Sequence, residues 1–403
     1  MQQLRRRRES SPRGAYLRLL GIGLFCWLVG SLACRPAWSP DGTKILFSAV
    51  SPDGNAARLV IHDLEKGETT TLGSFPNPTG DAGPVGVAWL PDSRHYLAVL
   101  LNSQKGEDAD PELLLGDVRG IESVKRIRLD RSRGGGSGLL LAPPLVRGDY
   151  AYLGGKEMLR VHLTTLELEY QRVGEIEEVL ILFGRPEGQT VFFMGQEEAA
   201  RGVDADIPVG VLRGEDRRPE IWADLQALGY PKLAALPAVS EDEKTIVIAV
   251  KEDRGRGDND SELLWITAEG VQRRLRLSTD SPRVELINLQ LHTDGDRLFL
   301  AMARQVNGES SAAEVGVAEV DLSDGSLRFR AVQLWPNINA DNASFSSMQM
   351  QLSPAGDKIA ISTAAPLDDG PLPTGACYIV DLSRVDPETG AWPVTEIKPP
   401  ENR

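Results

Sequence analysis

Cysteine and histidine are scarce, with three of the first and four of the second in 403 residues. Cys26, Cys34 and Cys377 are too few and too widely spaced for a disulfide framework. No Cys/His spacing suits a zinc ion. His62, His95, His162 and His292 are scattered along the chain, and none is set to serve as base for a nearby serine or cysteine nucleophile. Positive charge is also short: 44 Lys and Arg face 58 Asp and Glu, a net charge of −14. Residues 1–33 hold six of the arginines and only Glu9, so residues 34–403 carry 38 basic and 57 acidic residues, a net −19. Such a surface repels nucleic acid and anionic lipid headgroups and suits a cation or a basic partner. With 41% hydrophobic and 25% charged residues, the chain is nevertheless globular in composition.

The single long uncharged run lies near the start. "RRRRESSPRGAYLR" is a positive flank, and "LLGIGLFCWLVGSLA" (Leu19 to Ala33) gives 15 residues, short for a bilayer span but of the length of an export signal's apolar core. Residues 1–33 are therefore expected to be a signal peptide or membrane anchor. Arg7 and Arg8 are followed by Glu-Ser-Ser and not by the apolar residues of a twin-arginine signal, which argues against one. Ser31-Leu32-Ala33 ahead of Cys34 resembles the lipobox of bacterial lipoproteins, which implies Cys34 as the lipid attachment site. Three outcomes stay open: lipidation, an uncleaved anchor, or cleavage to a soluble exported protein. The expected place is the cell envelope, on its periplasmic or extracellular face.

From Cys34 onward the chain repeats. "SPDG" at Ser39 precedes the strand-like "TKILFSAV", then "ARLVIHDL", the turn "EKG" and "ETTTL". The same order returns at "LPDS" (Leu90), "VRGD" (Val146), "RPEG" (Arg185), "SEDE" (Ser240), "HTDG" (His292) and "SPAG" (Ser353), separated by 51, 56, 39, 55, 52 and 61 residues. A four-strand unit at that period cannot bury its faces alone and must pack into a ring. The expectation is all-β: a seven-bladed β-propeller of four-stranded antiparallel blades over residues 34–400, with blades starting near 35, 84, 143, 179, 234, 284 and 345. In the turns, Pro40 presets φ, Asp41 caps and Gly42 supplies the left-handed conformation, so these residues read as structural. Trp38 and Trp89 are expected to pack between blades. Because the repeat begins directly after Cys34, "WPVTEIKPP" from Trp392 is expected to form the outer strand of the seventh blade, leaving ring closure to packing between blades one and seven.

"WSPDGTKILFSA" with "LVIHDLEKGETTTL", together with "LSPAGDKIAIST" and "YIVDL", resembles the WD40-like repeat of TolB-type propellers, which also occurs in the propeller domains of prolyl oligopeptidase-type peptidases. The likeness is strongest in the first, sixth and seventh copies.

Motifs for chemistry are few. "RSRGGGSGLLLAPP" (Arg131 to Pro144) lacks both a Gly-x-Ser-x-Gly spacing and a phosphate-binding lysine and reads as a connector. "GEDADPE" and "RGDNDSE" have alternating acidic oxygens but not the glycine and distal glutamate of a calcium loop. Cys377 in "ACYIVDL" reads as a small buried hydrophobe. No catalytic residue, metal site or cofactor is therefore assigned. The segments expected to join second to third strands hold 18 acidic and 5 basic residues. Glu107, Asp108, Asp110, Asp204, Asp206, Asp258, Asp260, Asp368 and Asp369 are the candidate acidic rim. The favoured function is a monomeric, envelope-anchored, non-enzymatic binding or scaffold module for another envelope protein or another basic or cationic partner. The alternative is a carboxylate-based propeller enzyme of glycosidase or lyase type, acting on an extracellular saccharide or peptide.

Overall fold

Strands covered on both faces lose the alternation of polar and apolar residues, and "VFFMG", "IVIAV" and "LFLAM" are such runs. The computed structural model shows why. It describes residues 35–51, 55–76, 83–101, 110–134, 143–185, 188–196, 206–214, 217–230, 232–251, 261–278, 284–292, 297–305, 313–329, 348–363 and 377–400. Seven four-stranded antiparallel units succeed one another, each ordered as in sequence. Blade one holds β1 (Ala37–Trp38), β2 (Lys44–Val50), β3 (Ala56–Asp63) and β4 (Glu68–Pro76). Blade two holds β5 (Gly83–Trp89), β6 (His95–Leu101), β7 (Glu112–Asp117) and β8 (Gly120–Arg128). Blade three holds β9 (Leu145–Arg147), β10 (Tyr150–Leu153), β11 (Met158–His162) and β12 (Leu168–Gln171), after a single helical turn α1 (Arg131–Gly134). Blade four holds β13 (Glu178–Phe183), β14 (Val191–Gln196), β15 (Pro208–Arg213) and β16 (Arg218–Asp224). Blade five holds β17 (Lys232–Val239), β18 (Ile246–Lys251), β19 (Ser261–Thr267) and β20 (Gly270–Arg276). Blade six holds β21 (Val284–Leu291), β22 (Leu298–Gln305), β23 (Ala313–Val320) and β24 (Leu327–Phe329). Blade seven holds β25 (Met348–Leu352), β26 (Lys358–Thr363), β27 (Cys377–Asp381) and β28 (Val394–Ile397). One parallel bridge, Leu236 to Asn288, joins the innermost strands of blades five and six.

The cores lie between blades. On β14, Val191 and Phe193 pack toward blade three, while Phe192 and Met194 pack toward blade five. On β18, Ile246, Ile248 and Val250 face blade four, and Val247 and Ala249 face blade six. Successive side chains of a strand point to opposite faces, so an unbroken apolar run feeds two cores at once. Each fully buried Phe, Leu or Ile contributes about 1.5–3 kcal/mol relative to exposure. Where two large groups meet, one residue gives way: Tyr96 is fully buried and pairs with Gly116, where a Cβ would stand 2.3 Å from the ring.

The ring closes between blades seven and one. Trp38, Ile45 and Phe47 pack against Ala360, Cys377 and Ile397. The Trp38 amide donates to Gln351 Oε1 at 2.7 Å and its indole Nε1 to the Gln351 carbonyl at 3.0 Å. Arg35 Nε reaches the Met350 carbonyl at 3.1 Å, and buried Arg58 donates to the Pro400 carbonyl at 3.1 Å. A similar glutamine device joins blade six to blade seven, where Gln290 Oε1 accepts the Leu352 amide at 3.3 Å.

Trp38→Ala should cost about 3–5 kcal/mol of unfolding free energy. Denaturant unfolding reads the loss, and amide exchange should rise first in β2 and β26, the second strands of the two blades at the seam. Exchange rising equally in all blades would show that the seam is not the weak joint.

Candidate functional site

The strand order divides the loops between two faces. Turns between first and second strands, and between third and fourth, leave one face; second-to-third and blade-to-blade connections leave the other. The first of these faces is built from repeated turns. Ser39 donates its hydroxyl to Asp41 and accepts the Lys44 amide on the same oxygen, and Ser240 does the same with Asp242 and Thr245. Donation from the Ser240 hydroxyl and the Lys244 amide holds the Asp242 carboxyl below its ordinary range. In the turns at Ser39, Leu90, Arg185, Ser240 and Ser353 the fourth residue's amide donates back to the first residue's carbonyl, as from Gly42 to Ser39 at 2.8 Å and from Glu243 to Ser240 at 3.1 Å.

At Gly42, Ser93, Glu243 and Gly356 that fourth residue is left-handed. Gly42 and Gly356 take φ of +70° and +72°, which glycine tolerates, but Ser93 and Glu243 stand in the same place at +54° and +55°. Both use the side chain to reach the preceding blade. Ser93 Oγ accepts the Asp41 amide at 3.1 Å. Glu243 Oε2 accepts the amides of Gln189 and Thr190 at 3.2 Å each and the Thr190 hydroxyl at 2.8 Å. Glu243 Oε1 lies buried against Gly188 without a hydrogen-bond partner, and a Cβ on that glycine would stand 1.7 Å away. Thr190 is shared with blade three, because Arg147 Nε donates to its carbonyl at 3.2 Å. Burial lowers the pKa of the Arg147 guanidinium to about 10, with Glu243 opposing the shift.

Between these turns lies a cleft of about 350 Å³ lined by Arg185, Gly188, Gln189, Glu241, Asp242 and Glu243. Of its three carboxylates, Asp242 is tied to the Ser240 turn and Glu243 to Gln189 and Thr190. Sequence reasoning misses it, because its two sides come from turns more than fifty residues apart. The available signal is the replacement of glycine in "SEDE".

A second charged cluster sits in blade two. Buried Asp117 accepts Arg119 Nη2 at 2.7 Å and Arg94 Nε at 2.9 Å, and these bonds hold it far below the ordinary carboxylate range. Burial, with Asp117 nearby, pushes the Tyr96 hydroxyl up to about 12. Three histidines are tied within their own blade, His62 to Thr69, His95 to Asp92 and His162 to Thr165, and His292 reaches the Gly356 carbonyl of blade seven. Burial drives the Cys377 thiol far above its usual range, so it is no nucleophile. Among the described residues, no group of three or more His, Cys, Asp or Glu is placed to hold a metal ion.

Of the candidate rim, only Asp110 and Asp206 fall among the described residues, the first half-buried before β7 and the second exposed before β15. They stand in blades two and four, with blade three between them. Glu107, Asp108, Asp204, Asp258, Asp260, Asp368 and Asp369 lie outside the described residues, as does Cys34. The Arg131 to Pro144 connector begins as α1, and 135–142 are likewise outside.

The chain is a seven-bladed β-propeller, and its fold resembles WD40 structures. No family model matches it. The Tol-Pal system protein TolB of Histophilus somni, in strains 2336 and 129Pt, is 40% identical over 45 residues, 11% of this chain and 10% of each relative's length. The match thus spans a tenth of those curated relatives. Among solved structures, the complex of KlAtg21 with the coiled coil of AgAtg16 is similar at a TM-score of 0.55 and 11% identity, over 92% of this chain and 100% of that one. U3-55K is similar at 0.50 and 13% identity, over 87% and 95%. At such identities the likeness is one of fold.

Glu243→Ala should lower the unfolding free energy by about 1.5–3 kcal/mol, since it strips three donors of a charged acceptor. Glu243→Gly should lose about 1 kcal/mol less, because it relieves the left-handed backbone; equal losses would show that the conformation stores no strain. Asp117 has a depressed folded pKa, so its contribution is present above the unfolded value near 3.9 and is lost as pH falls through the folded value. The stability gap between the natural protein and Asp117→Asn should accordingly be full at pH 7 and shrink below about pH 4, as measured by denaturant midpoints.

Proposed function

We propose that this chain is an exported, envelope-anchored binding module that acts as a monomer and carries out no chemistry of its own. Residues 1–33 carry the export signal or anchor, and Cys34 is the lipid attachment site where the signal is processed as in lipoproteins. The partner is an envelope protein or another basic or cationic molecule, met on the face where second strands pass to third. The observation that carries this reading is charge. The segments joining those strands hold 16 of the acidic residues against 5 basic ones, and concentrating one sign on a face opposes folding by self-repulsion unless a partner of opposite sign offsets it. The engagement of every histidine in a hydrogen bond within the protein supports a role without catalysis. The weak similarity to TolB and the WD40-like fold are compatible with a scaffold.

Charge of this kind acts mainly on association rate and is screened beyond roughly 10 Å at 0.1 M salt. Asp204, Asp206, Asp258 and Asp260 changed together to asparagine should slow capture of the native partner at low salt without lowering the unfolding midpoint, since removing like charges relieves self-repulsion. An unaltered partner set and rate would leave the acidic residues a solubilising role only.

A further inference from the structure

Two arginines meet one tyrosine on the short-turn side of the seam between blades three and four. Tyr152, fully buried, packs with Leu182 and Phe193 of blade four. Arg147 pairs with Tyr150 across β9 and β10, so its side chain shares the face that carries Tyr150 and Tyr152. Arg217 approaches from blade four. Its guanidinium carbon lies 4.7 Å from the centre of the Tyr152 ring, and its Nη2 donates to the Tyr152 hydroxyl at 2.5 Å. It stands where glycine is the easy choice. In the turns from third to fourth strand, the residue in its place is Gly67 in blade one and Gly325 in blade six, at φ of +67° and +77°, whereas Arg217 is held at +46°. Backbone strain of this kind gathers at binding sites, and here it delivers a guanidinium to the ring.

Neither guanidinium is satisfied. Arg147 donates from Nε to the Thr190 carbonyl and from Nη1 to the Val146 carbonyl, but its Nη2 is buried without an acceptor. Arg217 Nε is likewise buried without one. A donor so placed bears the full cost of leaving water. The Tyr152 hydroxyl takes a hydrogen bond from Arg217, and its own proton has no acceptor among the described residues. Arg160 and Arg213, in the same two blades, are paired with Glu169 and Glu220, but among the described residues Arg147 and Arg217 make no salt bridge. Burial lowers the pKa of Arg147, Glu243 opposes the shift and the like charge of Arg217 adds to it, so the two guanidiniums feel one another.

We infer that Arg147 Nη2, Arg217 Nε and the Tyr152 hydroxyl form a site for a small monocarboxylate, held in the seam between blades three and four. The two oxygens of a carboxylate offer about four lone-pair positions, enough for three donors. With Glu243 beside Arg147, one positive charge is left over, which a monoanion balances and a phosphate dianion exceeds. Arg147 Nη2 and Arg217 Nε are out of contact with water. The anion therefore enters as the half-buried Arg217 side chain swings off the Tyr152 ring, and the side chain closes over it again. The site lies on the face away from the second-to-third connections and does not depend on the proposed function.

The test is thermal unfolding of the full chain in acetate, in phosphate and in chloride at equal ionic strength, for the natural protein and for Arg217→Gly. Glycine suits the left-handed position, so the variant folds while losing the donor. Acetate at about ten times its dissociation constant should raise the natural midpoint by about 2 °C over chloride. It should leave the midpoint of Arg217→Gly where chloride leaves it. Tyr152→Phe, which keeps the buried ring, should weaken acetate binding about three- to tenfold. In protein labelled at arginine nitrogen, the Arg217 Nε–H resonance, assigned by its loss in Arg217→Gly, should move as acetate is added. Equal acetate effects in the natural protein and Arg217→Gly, no effect in either, or a fixed Arg217 resonance overturns the site. Undiminished binding to Tyr152→Phe removes the hydroxyl from it, and a larger effect of phosphate overturns the monocarboxylate.

Discussion

A four-stranded blade has two apolar faces and no means of covering either, and the rest of the molecule depends on that constraint. Each core is built half from one blade and half from the next, as at Phe192 and Ile248 between blades four and five, so no blade is stable outside the ring. The ring must close, and one junction has to join residues from opposite ends of the propeller. Here it is the contact of β1 with β25, where Trp38 supplies both apolar area and two hydrogen bonds to Gln351. β1 pairs with β2 through only two residues, Ala37 and Trp38. So short an inner strand cannot hold by its ladder alone, and the side-chain bonds to blade seven take over what backbone pairing does elsewhere.

The short turns solve a second problem, keeping neighbouring blades in register near the axis. Glycine at the fourth position reverses the chain without strain but has no side chain to offer. Where serine or glutamate takes its place, at Ser93 and Glu243, the left-handed backbone costs about 1 kcal/mol, offset by bonds to the preceding blade. A side chain at Gly188 would have to displace the Glu243 carboxylate, which lies where its Cβ would be.

The ring and its seven blades were legible in the residues, because turn chemistry and β-rich runs are local and recur at a blade's period. Trp38 and Trp89 were legible as residues between blades for the same reason: a large aromatic at the end of an innermost strand has nowhere else to go, and Trp89 Nε1 indeed donates to the Ala37 carbonyl of blade one at 2.8 Å. The extent of β4 was not. "ETTTL" reads as a short edge strand, yet β4 runs on through Pro76, past a register shift between Leu59 and Val60, because Leu72 and Phe75 find a core against blade two that the local pattern does not announce. The Glu243 cleft was illegible for a stronger reason. Its walls are ordinary polar turns, and only the packing of blade four on blade five brings Arg185 near Glu241.

Charge and topology bear on each other. Backbone direction alone sends every second-to-third connection to one face, so Asp110 before β7 and Asp206 before β15 stand on the same side of the ring, a blade apart. The short-turn face is occupied differently. Its carboxylates at Asp41, Asp242 and Asp357 are each tied to a turn hydroxyl, and a carboxylate committed to its own turn has less capacity left for a ligand. The same strand direction brings the chain in on that side, at Arg35.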